Sequence, residues 1–294
     1  MKIINPSFEI LEQKEGLEGI YEAIETAGRT CYKSERPAGS TAKSFVDRLI
    51  ANKHLAMAEF GTIYLKIPKK VINNPFETED LIELVSNIHT ATFEDKEYTY
   101  ITSNYRVILE TDVSPSFIEQ YLCNPTEKHE QRVAVKFITS IGIAREFCRH
   151  RVFSFAQEST RYCNYSKNRF DNKLTFIAPY WWKYPNGKSR DINGKSSNDV
   201  MFKFSRFAQA CQDAETYYFG LLQTGCTPQE AREVLPLALK TELVMSGFVS
   251  DWQHFFNLRT SIIAETGNPH PDAARLADPL YEEFINRKLI YAQK

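Results

Sequence analysis

Apolar residues recur along the chain at two spacings, one suited to helix faces and one to strands, and their succession lays out the elements. Helical spacing predicts helices over 15–34 and 40–53; in the second, Phe45, Val46, Leu49 and Ile50 share a face that ends near His54. Alternation of Ile63, Leu65 and Ile67 predicts a strand over 61–68, and YTYITSNYRVILE predicts another over 98–110. Phe137, Ile138, Ile141, Ala144 and Cys148 carry a helical period that predicts a helix over 134–151. KLTFIAPYWW, 173–182, predicts a strand, and the polar, turn-rich stretch 183–199 predicts an insertion loop. From Val200 the pattern predicts helices alone. One stops at Gly225, one is opened by the capping-box signal Thr227-Pro228-Gln229-Glu230, one follows Ser250-Asp251, and the last starts at Pro271.

Strands among helices, followed by helices only, predict an α+β fold with a central mixed or antiparallel sheet, flanking helices and a helical C-terminal half. No linker composition interrupts the chain, so residues 1–294 read as one domain. Charge then removes whole classes of partner. With 36 basic and 37 acidic residues the net charge is -1, which gives no global attraction to nucleic acid or to an anionic membrane. No run approaches the ~20 apolar residues of a membrane span, and the first residues lack a signal-peptide core, so the expectation is a cytoplasmic protein with no membrane association. The six cysteines are scattered without C-x-x-C or His-x-x-x-His spacing, which predicts free thiols and no metal.

Against that neutral background RHRVFSFAQESTRY, 149–162, is anomalous. Arg145, Arg149, Arg151 and Arg161 lie within seventeen residues, with only Glu146 and Glu158 to balance them. The cluster by itself supports two readings equally: a solvated charged face, or an anion site in which paired guanidiniums grip a phosphate. His150 alone reads as structural. A dinucleotide-binding glycine turn is absent, and GKSRDINGKS places six residues between Gly187 and Gly194 where a phosphate loop needs four. Ser159 has no visible Ser-His-Asp partners, so it reads as a ligand contact rather than a nucleophile.

Spacing changes the balance. Arg149-His150-Arg151, seven residues, then Ser159 resembles the signature of flavin-dependent thymidylate synthases. GRTCYKS (28–34), LAMAEFGTIYL (55–65), STRY (159–162), EAREVLP (230–236) and FFNLR (255–259) resemble further segments of that family in its order, with 164–200 and the last thirty residues as additions. The resemblance implies reductive methylation of dUMP to dTMP, with FAD as cofactor and NADPH and methylenetetrahydrofolate as co-substrates. It also implies a homotetramer with active sites at subunit interfaces. By position, Thr62, Arg149, His150, Arg151, Gln157 and His254 are implied to contact flavin. Glu146, Arg149, Gln157, Glu158, Ser159, Thr160, Arg161, Arg232 and Arg259 are implied to surround dUMP, with Arg259 activating the uracil.

Three departures from the family pattern stand out. Phe60 occupies a position where histidine is common, Gln157 one where glutamate is frequent, and Phe248-Val249-Ser250 a segment that often supplies Asn and Arg to flavin. Two alternatives accompany the main reading. One is a flavoprotein of this fold without methyl transfer, hinted at by Phe60; the other is a nucleic-acid binder that stacks bases on Phe153, Tyr162 and Tyr165.

Overall fold

The computed structural model describes residues 1–72, 78–111, 113–182, 197–265 and 267–291. Two strands, β1 (Lys2–Ile4) and β2 (Ser7–Leu11), precede the helices α1 (Gly16–Tyr32) and α2 (Ala42–Ala51). Next come β3 (Thr62–Pro68), the short helices α3 (Lys69–Ile72) and α4 (Thr78–Ser86), and the strands β4 (Ala91–Glu94) and β5 (Tyr98–Asn104). Short helices α5 (Tyr105–Glu110) and α6 (Pro115–Tyr121) lead into β6 (Arg132–Ser140), α7 (Ile141–Phe147), β7 (Ser154–Gln157) and β8 (Thr175–Ile177). The last part holds α8 (Ser197–Gln223), α9 (Pro228–Ala231), β9 (Lys240–Phe248), α10 (Val249–Arg259) and α11 (Pro271–Asn286). The class is α+β.

Among the described residues the strands form three sheets. The largest is antiparallel throughout, in the order β2-β6-β9-β7; β3, β5 and β4 form a second antiparallel sheet, and β1 pairs with β8 in parallel. Four sequence expectations change. The helix predicted over 134–151 is strand β6 followed by the shorter α7. Val133, Val135, Phe137 and Thr139 are buried in strict alternation, and the Ser140 hydroxyl accepts the Ile143 N–H at 3.3 Å to start the helix. Phe137, Ile138 and Ile141 fit either period, and pairing on both sides of β6 decides for the strand.

The strand predicted over 98–110 ends at Asn104, whose side chain accepts the N–H groups of Arg106 and Val107 and so caps α5. The strand predicted over 173–182 contracts to β8. Helices do not stand alone after residue 200, because β9 is an inner strand of the main sheet. Thr241 through Gly247 are buried on both faces, and such a strand shows an apolar run rather than alternation. The one-turn helix after Thr227 has its capping box, with Thr227 Oγ1 accepting from Glu230 N and Glu230 Oε2 accepting from Thr227 N. Of the expected insertion loop, 183–196 lies outside the described residues and 197–199 falls in α8.

The main sheet has two differently used faces, since residues opposed in register share a side. One face carries Val133, Val135, Phe137, Leu243 and Met245 into the core with Trp252 and Phe255 of α10 and Leu280 and Phe284 of α11. The other carries Ala156 and Val244 against Ala27 of α1 and against Phe60. Gly247 admits Phe153 to the edge of β9: a Cβ there would stand 2.6 Å from the Phe153 ring. That close approach seats the turn bearing residues 149–153 on the sheet.

Candidate active site

Helix α7 ends at Phe147, and the chain reverses through residues 148–153, with His150 N donating to Phe147 O and Phe153 N to His150 O. The turn buries alternate members of the basic stretch. His150 and Phe153 point inward, while Arg149 and Arg151 are exposed. Phe153 packs edge-on against Trp252 with ring centroids 4.7 Å apart, and His150 lies 5.1 Å from the Phe255 ring, so α10 is the wall behind the turn.

Arg259, the last residue of α10, closes this corner. Its Nε donates to His150 Nε2 at 3.0 Å, Nη1 to the Glu146 carboxylate at 2.9 Å and Nη2 to the Glu146 backbone carbonyl at 3.0 Å. The bond to Nε2 requires that nitrogen to accept, so the His150 proton sits on Nδ1 and the ring is neutral. Burial, the neighbouring Arg259 charge and His254 together push the His150 imidazole down to about 4. His254 is exposed with its ring 6.1 Å from His150.

A measurable pH dependence follows. A histidine that is neutral when folded but takes up a proton when unfolded makes stability rise with pH between its folded and free values. Stability of the protein should therefore fall as pH drops from about 6.5 toward about 4. His150→Gln should flatten the curve in that window by up to ~1.4 kcal/mol per pH unit. Denaturant unfolding at several pH values tests this, and an unchanged slope would count against a neutral, buried His150.

The other site residues fall in two further groups. Gln157 Nε2 donates to Thr241 Oγ1 at 3.2 Å, on the α10 side of the sheet. Its neighbour Glu158 turns to the α1 side, where its buried carboxylate accepts from Lys240 Nζ at 2.7 Å and from the Tyr165 hydroxyl at 3.3 Å. Ser159 N donates to Cys31 O at 2.9 Å, tying the signature to α1, and Ser159 Oγ accepts the Arg161 N–H at 3.3 Å. Thr160 follows, half-buried. Arg161 Nε donates to Gln229 Oε1 at 2.6 Å, which draws it to the segment that carries Arg232; Arg232 itself pairs with Glu233 at 3.3 Å. Among the described residues, the side chains of Arg145, Arg149 and Arg151 have no hydrogen-bond or ion-pair partner.

Thr62 stands apart from all of these. The Gln13 side chain clamps its backbone, donating to Thr62 O and accepting from Thr62 N, both at 2.8 Å. Thr62 lines a cavity of about 890 Å³ on the α1 side of the sheet, with Phe60, Tyr64 and Arg132. Phe60 is 3% exposed and packed with Ala27, Ala156 and Val244, so its apolar character serves the core. Phe153 and Tyr165 are buried as well, which leaves Tyr162 as the only exposed member of the three rings considered for base stacking. Lys240, which holds Glu158, and Glu242 and Lys33, which extend the same charge cluster, are not apparent from the sequence. Their one signal was Lys240 and Glu242 at alternate positions entering an otherwise apolar run.

No described group of three or more His, Cys, Asp or Glu could hold a metal ion, and no described helix is long and apolar enough to cross a membrane. All six cysteines are free.

Residues 116–286 match the family model of the thymidylate synthase complementing protein. The chain belongs to this family. The span contains the 149–162 signature, Arg232, His254 and Arg259, and it begins after GRTCYKS, LAMAEFGTIYL and Thr62. The span also includes 164–200 and most of the last thirty residues, which the resemblance had set aside as additions, and Thr62 lies outside it. Among relatives of this thymidylate synthase complementing family, the chain is 29% identical over 153 residues to the probable flavin-dependent thymidylate synthase of Paramecium bursaria Chlorella virus 1, covering 50% of this chain and 64% of that protein. It is also 29% identical over 129 residues to the flavin-dependent thymidylate synthase of Synechocystis sp., covering 43% and 56%. The matches thus span less than two thirds of these relatives. A solved UMP/dUMP methylase, PolB from Streptomyces cacaoi bound with 5-Br dUMP, superposes with a TM-score of 0.48 at 15% identity, over 97% of this chain and 93% of that one.

Proposed function

We propose that the protein is a flavin-dependent thymidylate synthase that converts dUMP to dTMP, with Arg259 as the group that activates the uracil. The observation that carries this reading is the corner in which Arg259, fixed by Glu146 and neutral His150, lies beside the unpartnered guanidiniums of Arg149 and Arg151 within the family-matched span. Two free cations next to histidine rings suit the diphosphate of a dinucleotide such as FAD, and they fit the group without a glycine-rich turn. When bound, FAD reduced by NADPH supplies the electrons, and methylenetetrahydrofolate supplies the one-carbon unit.

The chain's own residues then have separable tasks. Arg149, His150, Arg151, Gln157 and His254 orient the flavin; Thr62 joins them only if a neighbouring subunit brings its cavity to the site. Arg161 and Arg232, drawn together through the 229–233 segment, hold the dUMP phosphate with Ser159 and Thr160, while Glu146, Gln157 and Glu158 shape the ring pocket. A guanidinium carries five N–H donors, and Arg259 spends three on Glu146 and His150. The remaining two meet a uracil oxygen and favour negative charge on the ring, which raises electron density at C5, where the new bond forms. A hydrogen bond to a charged group contributes ~1.5 to 3 kcal/mol, equivalent to one or two pKa units of the ring at ~1.4 kcal/mol each. The distribution of these residues over both faces of the sheet suits a homotetramer whose sites are completed by other subunits.

The decisive experiment purifies the protein and records its absorbance. A yellow protein that NADPH bleaches, and that forms dTMP once dUMP and methylenetetrahydrofolate are added, is the expected result. A colourless protein that takes up no FAD overturns the proposal. A yellow protein that makes no dTMP points to the flavoprotein without methyl transfer.

A further inference from the structure

Three ammonium groups and two carboxylates meet where α1, β6 and β9 converge, on the side of the main sheet away from Arg259. Lys33, Lys136 and Lys240 all pair with Glu242, Lys136 at 3.3 Å and Lys240 at 2.8 Å, and Lys240 also holds Glu158 at 2.7 Å. The carboxylate side chains are 1% and 9% exposed, the three lysines 14–27%. Tyr165, which donates to Glu158, is held neutral by burial and by that carboxylate. The cluster therefore carries one positive charge in excess in a half-buried setting, where an unbalanced charge is costly.

The surroundings add to the excess. The cluster forms the floor of a cleft of about 720 Å³ whose lining holds seven basic side chains and four carboxylates, in a chain whose net charge is -1. Arg169, whose Nη1 donates to Lys33 O at 2.7 Å, lines the cleft, as does Arg29, which pairs with Glu25. A cleft with an excess of one sign of charge concentrates the opposite ion.

We propose that this cleft is a second anion site, which takes a small dianion of the phosphate type between Lys33, Lys136 and Lys240. Its occupant offsets the positive excess of the cleft and braces Glu158, which follows β7 and immediately precedes Ser159. The site needs neither flavin nor a nucleotide at Arg259, so it stands or falls independently of the proposed activity.

Calorimetric titration of the whole protein with inorganic phosphate at constant ionic strength tests it. A saturable site besides the one at Arg161 is expected, and Lys33→Met and Lys136→Met should each weaken it by at least about tenfold, the worth of one charge-assisted contact. Glu242→Gln should tighten it, because the excess charge rises; should that variant not fold, the two lysine variants decide. Arg161→Met should leave it unchanged. A parallel titration with a nucleoside monophosphate separates two sources of the same chemistry: tighter binding with the same lysine dependence identifies a nucleotide phosphate, and equal binding a free anion. Phosphate binding that ignores both lysine variants, or that is lost with Arg161→Met alone, overturns the proposal.

Discussion

Replacing Arg259 by lysine should lower turnover by about 10²- to 10³-fold, the usual cost of losing one preorganised donor at a reacting centre, while folding and flavin content stay near normal. The geometry explains why charge alone is not enough. The guanidinium spans the His150 ring, the Glu146 carboxylate and the Glu146 backbone carbonyl at once, and two of its five N–H donors remain unspent. A lysine ammonium keeps the charge but has three donors at one point, so holding Glu146 and serving a substrate become alternatives. Glu146 would keep a partner and the fold would tolerate the change, because the side chain is only partly buried. Steady-state dTMP formation measured beside the flavin absorbance separates the two effects. Near-normal turnover in Arg259→Lys would remove Arg259 from the activating role.

The corner around Arg259 was legible in the sequence only through resemblance. Composition and spacing left the arginine cluster divided between a solvated face and an anion site, and His150 read as structural. The structure gives both halves a basis: Arg149 and Arg151 are exposed and unpartnered, whereas His150 is buried as the acceptor of Arg259. No local pattern joins residues 113 positions apart, so the Arg259–Glu146 contact could not be read from either segment. The fold was legible where a helix or strand exposes one face, as in α1, α2, β3 and α11. It failed at β6 and β9, for opposite reasons. β6 carries apolar residues on both sides at its end, which mimics a helical turn, and β9 is buried on both sides, which erases alternation. Those two strands form the centre of the sheet, and the expectation of helices alone after Val200 failed with β9.

The charges buried beside β9 set up the largest expected effect on stability. Lys240→Met should cost about 3–5 kcal/mol, the range for removing one partner of a buried ion pair. Its ammonium is shared between Glu158 and Glu242, but the two carboxylates do not depend on it equally. Glu242 keeps Lys33 and Lys136, whereas among the described residues Glu158, 1% exposed, keeps only the Tyr165 hydroxyl besides its own backbone contacts. The cost is thus the stranded Glu158 charge, and removing that charge should restore most of the loss. A Lys240→Met, Glu158→Gln double variant retains the bond from Tyr165 and the side-chain volume, so denaturant titration of the single and double variants forms a direct comparison. Recovery of more than half the lost stability in the double variant is expected. Equal loss in both would mean that the lysine matters through its packing and not through its charge. Because the next residue, Ser159, is tied through its N–H to Cys31 O, a shift of Glu158 passes directly to the signature loop. The single variant should therefore also weaken dUMP binding although Lys240 lies on the far side of the sheet.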